Sequence, residues 1–179
     1  AFELERNYNP YCGYQDPYGC GIGGFKRITF LSGDSIKYDF LSTDLFEFYD
    51  THLVFTGVTR NSKSILQDVA QNIEKVKPLL ETADKAYDLL IKNNYESFLK
   101  LINIGWERKK KTSSNIPKNK TVRSMDAVLA SNETVLAHRL CGAGNGGFFL
   151  TFSKPHSLTI PYQYIKIYPQ KSGVYGKSI

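Results

Sequence analysis

From Phe25 the pattern of polar and apolar residues turns strand-like. FKRITF puts Phe25, Arg27 and Thr29 on one face and Lys26, Ile28 and Phe30 on the other, which predicts a half-exposed β-strand. Ser32, Gly33 and Asp34 supply turn chemistry and SIKYDFL resumes the strand pattern, so the pair predicts a β-hairpin. HLVFTG, from His52, predicts another strand. After Asn61 the period changes: Ile65, Leu66, Val69, Ile73, Val76 and Leu80 recur at three and four and trace one helical stripe, with Asn61 or Ser62 as its cap. Pro78 predicts a break or kink in that helix. Ala86, Leu89 and Leu90, then Phe98, Leu101, Ile102 and Trp106, continue the spacing, giving two or three helical segments.

TSSNIPKNK, around Pro117, is polar and aperiodic and predicts a mobile loop, followed by a helix from about Val122 to Leu129. RLC, FFLTF and YIKIYP, separated by a glycine-rich turn and a Pro-containing loop, predict strands of an antiparallel sheet. Strands on both sides of a helical block make the chain α+β, an antiparallel sheet packed by helices.

Length and composition set limits on this picture. With 179 residues, 41% of them hydrophobic, the chain is long enough for one real core and too short for more than one or two domains. The sequence contains neither an apolar run of membrane-spanning length nor a basic-then-apolar leader, which predicts a soluble protein. Cys12, Cys20 and Cys141 show neither CxxC nor His-bracketed spacing, which argues against a disulfide framework or a metal site and for a cytoplasmic location. The opening residues, AFELER, have the spacing of a helix interior, which predicts a chain cut from a longer one.

The net charge of +6 is outweighed by one stretch: Arg108, Lys109, Lys110, Lys111, Lys118, Lys120 and Arg123, with no acid between Glu107 and Asp126. A solvated helix end running into a flexible loop is the plain account, and phosphate steering the functional one. Nucleic-acid binding is disfavoured, because no aromatic interleaves the cations and no reader motif is present.

Two glycine-rich segments carry the candidate chemistry. GYQDPYGCGIGG fits GxGxxG through Gly19, Gly21 and Gly24, and GAGNGG fits it again through Gly142, Gly144 and Gly147. A dinucleotide fingerprint needs a strand before and a helix after, whereas both segments lead into predicted strands. What remains is glycine-dense turns whose backbone can approach a phosphate or another loop. Asp16, in a loop bracketed by Gly13 and Gly19, is placed to accept a proton from a substrate hydroxyl or to orient it, and equally to make an Asx-turn.

The order of these pieces, QD followed by an aromatic and a GG-F strand, then LVFTGVTR, a tryptophan-lysine helix and GAGNGGFFL, resembles the C-terminal half of the GHMP kinases. Within them the chain is most similar to the D-glycero-D-manno-heptose 7-phosphate kinases, whose patterns run close to GKQDQYAAAFGGFN, TGxTR and GAGGGGF. L-fucose-type kinases share much of this. The resemblance covers nearly the whole chain. It implies a ferredoxin-like C-terminal domain over residues 51–179, with residues 1–50 left from an N-terminal kinase domain. It also implies ATP and Mg²⁺ as cofactors, and phosphorylation of the anomeric hydroxyl of a heptose 7-phosphate for surface-polysaccharide precursors. By the same resemblance Asp16 is the catalytic aspartate, and Gln15, Tyr18 and Arg60 contact substrate. Gly142, Ala143, Gly144, Gly146 and Gly147 form the turn that supports the phosphate loop, and no side chain is implied as a metal ligand.

Pro17 and Gly19 replace the family's Gln and a small residue, and Asn145 interrupts the glycines, a change eased by the tolerance of Asn for a left-handed backbone. The family's PxxxGLGSSS-like loop, its main triphosphate cradle, does not occur in the sequence, so the chain by itself is expected to be inactive and to need the other kinase half as a partner. A non-catalytic sugar-phosphate-binding module is the alternative of a different class. Oligomeric state is not legible in the sequence.

Overall fold

β-Branched and aromatic runs bounded by turn residues form the strands where the alternation predicts them. The computed structural model describes residues 6–7, 10, 13–31, 35–59, 65, 68–69 and 72–173. Two compact units divide the chain, 1–43 with 168–179, and 44–167.

In the first unit, helix α1 (Gln15–Gly21) precedes the strands β1 (Lys26–Phe30) and β2 (Ile36–Phe40). The strands pair antiparallel with Lys26 opposite Phe40 and Phe30 opposite Ile36, as the hairpin pattern requires. The turn chemistry at Ser32, Gly33 and Asp34 lies outside the described residues. Tyr14 stacks on Phe30 at 5.1 Å and Tyr18 meets the same ring edge-on at 6.0 Å, so aromatic contacts hold the start of α1 to the hairpin. The loop expected around Asp16 is instead a short helix. Pro17 is compatible with it because an N–H in the first turn has no intrahelical acceptor.

The second unit runs through α2 (Leu45–Phe48), β3 (Asp50–Phe55), a 3₁₀ turn (Ile73–Val76), α3 (Lys77–Ile91), α4 (Tyr95–Lys110), α5 (Lys120–Ser131), β4 (Ala137–Leu140), β5 (Phe148–Ser153) and β6 (Tyr164–Ile167). The four strands are ordered β4-β5-β3-β6 and every pairing is antiparallel. Counted within the unit, this is the fourth-first-third-second order of a ferredoxin-like sheet read from β6. The first crossover, β3 to β4, carries the helices. The second, residues 154–163 between β5 and β6, contains none.

Strand alternation sends Val54, Phe149 and Leu140 into one core with Trp106, Val122, Met125 and Leu129. Phe149 meets the Trp106 ring edge-on at 6.2 Å. On the opposite sheet face Phe55, Phe148 and Ile165 are exposed. No helix among the described residues is long and apolar enough to cross a membrane.

The single stripe from Ile65 to Leu80 does not hold. Ile65 is buried and Val69 packs on the core, yet Ile73 and Leu80 are exposed. Of the break or kink expected at Pro78 the structure shows the break: a 3₁₀ turn ends at Val76 and Pro78 lies in the first turn of a new helix, α3. The Pro78 carbonyl then accepts the Thr82 hydroxyl at 2.7 Å and an Arg108 N–H at 2.8 Å, and Arg108 also donates to Thr82, which fastens the start of α3 to the end of α4. Leu66 and the proposed caps Asn61 and Ser62 lie outside the described residues.

TSSNIPKNK is likewise no free loop. Thr112, Ser113 and Ile116 are buried; the Thr112 hydroxyl bonds the Lys109 carbonyl at 2.8 Å and the Ser113 hydroxyl donates to the Asp68 carboxylate. Polar composition hid this because the hydroxyls satisfy local backbone and a carboxylate while Ile116 fills the core. Helix α5 starts two residues earlier than expected, where the Asn119 side chain accepts the N–H groups of Thr121 at 2.8 Å and Val122 at 3.3 Å.

Candidate functional site

The glycine-rich segment 142–147 turns the chain from β4 into β5, closed by the Cys141 N–H on the Phe148 carbonyl at 2.9 Å. Gly142, Gly144, Gly146 and Gly147 all have positive φ, between 67° and 155°, which is why this turn is written in glycine. Two of the four are also sterically confined. A Cβ on Gly144 would lie 2.7 Å from Ile116 Cγ2, and one on Gly146 would lie 2.7 Å from the Val58 carbonyl oxygen. Between them, Asn145 has no positive φ, so left-handed tolerance does not explain it. Its side-chain oxygen accepts the backbone N–H groups of Lys118 and Asn119, both at 2.9 Å, and ties the turn to the start of α5.

The turn is tied on two further sides. Lys109 donates to the Gly142 carbonyl. From the end of β3, the Thr56 N–H and hydroxyl both donate to the Gly147 carbonyl, at 2.9 and 2.8 Å, and the Gly147 N–H returns a bond to Val58 at 2.9 Å. The TGV part of TGVTR and the GAGNGG turn are therefore one structural piece, although 91 residues separate Thr56 from Gly147. Arg60 lies outside the described residues.

Beneath this piece a buried network anchors α4, α5 and β4. Asp126 accepts the Trp106 indole N–H at 2.7 Å and meets His138 Nε2 at 2.8 Å through one oxygen, and accepts Lys110 at 2.9 Å through the other. Burial pushes the Asp126 carboxyl up, but the hydrogen bonds from His138, Lys110 and Trp106, with the Lys110 charge, outweigh it and bring it to about 2. The sequence gives no sign of this network, since its members come from three elements. It also answers part of the charge question: Arg108, Lys109 and Lys110 are all engaged within the unit.

Gln15, Asp16 and Tyr18 share α1, in the first unit, whereas the glycine turn belongs to the second. Gln15 and Asp16 are exposed, and among the described residues no donor is paired with the Asp16 carboxylate. Tyr18 is half-buried in the aromatic cluster with Tyr14 and Phe30. At the other end of α1, Lys26 Nζ donates to the carbonyls of Gly19, Gly23 and Gly24 at 2.9–3.3 Å. Burial lowers the Lys26 pKa, against the nearby Cys20. Gly24, at φ +75°, lets its N–H reach the Gln170 carbonyl at 2.7 Å. Lys26 thus gathers the carbonyls left open at the end of the glycine-rich segment. Neither Cys20 nor Cys141 is in a disulfide among the described residues, and Cys12 lies outside them.

Phosphoryl transfer needs a base or orienting charge, a held triphosphate and a metal. The exposed Asp16 carboxylate fits the first. Among the described residues no three His, Cys, Asp or Glu side chains gather to hold a metal ion.

No protein-family model and no curated protein matches the sequence. Solved structures do match by fold. Lactococcus lactis galactokinase with galactose superposes with a TM-score of 0.73 at 16% identity, over 96% of this chain and 58% of its own. A D-glycero-D-manno-heptose 1-phosphate kinase from Bacteroides thetaiotaomicron gives 0.64 at 19% identity, over 99% and 53%. Mevalonate-3-kinase of Thermoplasma acidophilum gives 0.59 at 11% identity, over 84% and 53%. The chain spans somewhat more than half the length of these GHMP-family kinases, and the fold it shares with them is that of their C-terminal part.

Proposed function

We propose that this chain is the C-terminal part of an ATP-dependent sugar-phosphate kinase that phosphorylates the anomeric hydroxyl of D-glycero-D-manno-heptose 7-phosphate. The N-terminal kinase domain expected over residues 1–50 and the C-terminal domain expected over 51–179 then correspond to the two units 1–43 with 168–179, and 44–167, since β3 begins at Asp50 and cannot be divided there. The observation that carries the reading is the lock between Thr56 and Gly147. Two of the segments that resemble the kinases are bonded to each other, at one end of the sheet of a fold similar to that of the kinases.

In this reading ATP, with Mg²⁺ on its phosphates, supplies the phosphoryl group. Asp16 holds or removes the proton of the attacking hydroxyl, Gln15, Tyr18 and Arg60 position the sugar, and the glycine turn buttresses the loop that cradles the triphosphate. That cradle is not encoded in these residues, so the chain by itself binds without turning over. Asn145 favours a second reading, a non-catalytic sugar-phosphate-binding module, because its side chain occupies amide donors at the edge of the turn.

The test is phosphate transfer from ATP to the heptose 7-phosphate by the full-length source protein, beside its Asp16→Asn variant and this chain alone. Transfer by the full protein that falls by about 10²–10⁴-fold in Asp16→Asn, with none from the chain alone, supports the kinase. Transfer untouched by Asp16→Asn, or equal transfer by the chain alone, overturns it. Binding without transfer in every form selects the module.

A further inference from the structure

The basic run between Arg108 and Arg123 divides in two. Arg108, Lys109 and Lys110 are spent on internal partners. Lys118, Lys120 and Arg123 are exposed, and among the described residues no hydrogen bond or ion pair engages their side chains. Lys120 lines a cavity of about 690 Å³ at the glycine-turn end of the sheet, within the size range of small-molecule sites. Thr121 and Ser124 join it from α5, and Tyr162 and Gln163 from the stretch before β6. Arg123, three residues on from Lys120, is its neighbour on the helix surface.

Four backbone amides at the start of α5 are already taken. The N–H groups of Thr121 and Val122 are taken by Asn119, and those of Lys118 and Asn119 by Asn145. The side chains lining the cavity bring one cation, Lys120, with hydroxyls and a carboxamide, and Arg123 stands beside Lys120 one helical turn on, within reach of an anion that Lys120 holds. Tyr162, partly buried against the core, with Phe55 and Met125, gives the same cavity an apolar portion. A dianion joined to a polyhydroxylated ring matches this mixture: charge for the lysine and arginine, hydroxyls for the polar side chains, and the C–H face of the ring for the apolar portion.

We infer that this cavity binds a phosphorylated sugar, with its phosphate on Lys120 and Arg123 and its hydroxyls toward Thr121, Ser124 and Gln163. The inference takes its ligand class from the kinase reading above and concerns the second unit alone.

The experiment is calorimetric titration of the 179-residue chain with sedoheptulose 7-phosphate, sedoheptulose, inorganic phosphate and ATP. The expected result is binding of sedoheptulose 7-phosphate that weakens with added salt, at least about tenfold tighter than sedoheptulose, and lost by about tenfold or more in Lys120→Met/Arg123→Met. Lys85→Met/Lys92→Met, which removes the same charge from α3 and its C-terminal cap, should leave it unchanged. All the substituted side chains are exposed, and matching thermal midpoints verify folding. No binding of sedoheptulose 7-phosphate, binding indifferent to the Lys120/Arg123 pair, equal loss in the α3 control, or preferential binding of ATP at this pair overturns the inference. The kinase assay fails separately: transfer that depends on Asp16 but not on Lys120 and Arg123 rejects this site and keeps the kinase, whereas phosphate-dependent binding at the pair without transfer keeps the site and rejects the kinase.

Discussion

Thr56 reaches Gly147 twice, its backbone N–H and its hydroxyl donating to the same carbonyl oxygen at 2.9 and 2.8 Å. Thr56 is only 2% exposed, so the hydroxyl has no water to fall back on. Thr56→Val keeps the shape and removes the donor. The expected cost is about 1–2 kcal/mol in denaturant unfolding, with the backbone bond retained and the fold intact.

Gly144 and Gly146 should differ when each becomes Ala. Both acquire a side chain at positive φ, a strain of about 1–3 kcal/mol. At Gly144 the new methyl meets the Ile116 side chain, which a second change, Ile116→Ala, vacates. At Gly146 it meets the Val58 backbone, which cannot withdraw. Chemical denaturation should therefore show partial rescue of Gly144→Ala by Ile116→Ala beyond additivity, and no rescue of Gly146→Ala by Val58→Ala.

Acid should destabilise the second unit through Asp126. Its folded pKa, about 2, lies below the unfolded value of 3.8, so the stabilisation is complete above the unfolded pKa and is lost as pH falls toward 2. The size is about 2 kcal/mol. Trp106→Phe removes one of the donors that depress the pKa, so unfolding midpoints followed from pH 6 to 2 should fall less steeply in the variant, from a lower plateau.

His52 adds an earlier step. Burial lowers its pKa, with Asp50 opposing and Lys166 reinforcing, and its Nδ1 has no hydrogen-bond partner among the described residues. The unfolded chain therefore takes up this proton first, and stability should begin to decline as pH drops through about 6.5. His52→Gln should flatten that limb alone.

Asn145→Ala should expose two amides and spare two. Hydrogen exchange should quicken at Lys118 and Asn119, which lose their acceptor, and stay slow at Thr121 and Val122, which Asn119 holds.

The strands were legible because each is a short run of β-branched and aromatic residues closed by turn chemistry. FFLTF and YIKIYP needed nothing beyond their own residues. The helical block was legible in period but not in its breaks: Pro78 signals both a kink and a first turn, and only its contacts with Thr82 and Arg108 distinguish them. The loop 112–119 misled because a sequence shows that a hydroxyl is polar without showing that a carboxylate 45 residues away will bond it. Asn145 read as a flaw in a glycine run for the same reason, its two donors lying on another segment. The glycine turn and Asp16 were each named from motif and resemblance, whereas Lys120, Thr121, Ser124 and Gln163 share a cavity only after β6 and α5 have been brought to the same end of the sheet.

The edges of the four-stranded sheet have a further consequence. Both outer strands, β4 and β6, are four residues long, and β6 carries Lys166, pinned at 2.5 Å to Asp50. An edge so short, with a committed charge in its middle, offers a poor template for a fifth strand from another molecule. Concentrated solutions of this chain should resist edge-to-edge aggregation, and Lys166→Val, which makes β6 an uninterrupted apolar run, should be the change that lets them cloud.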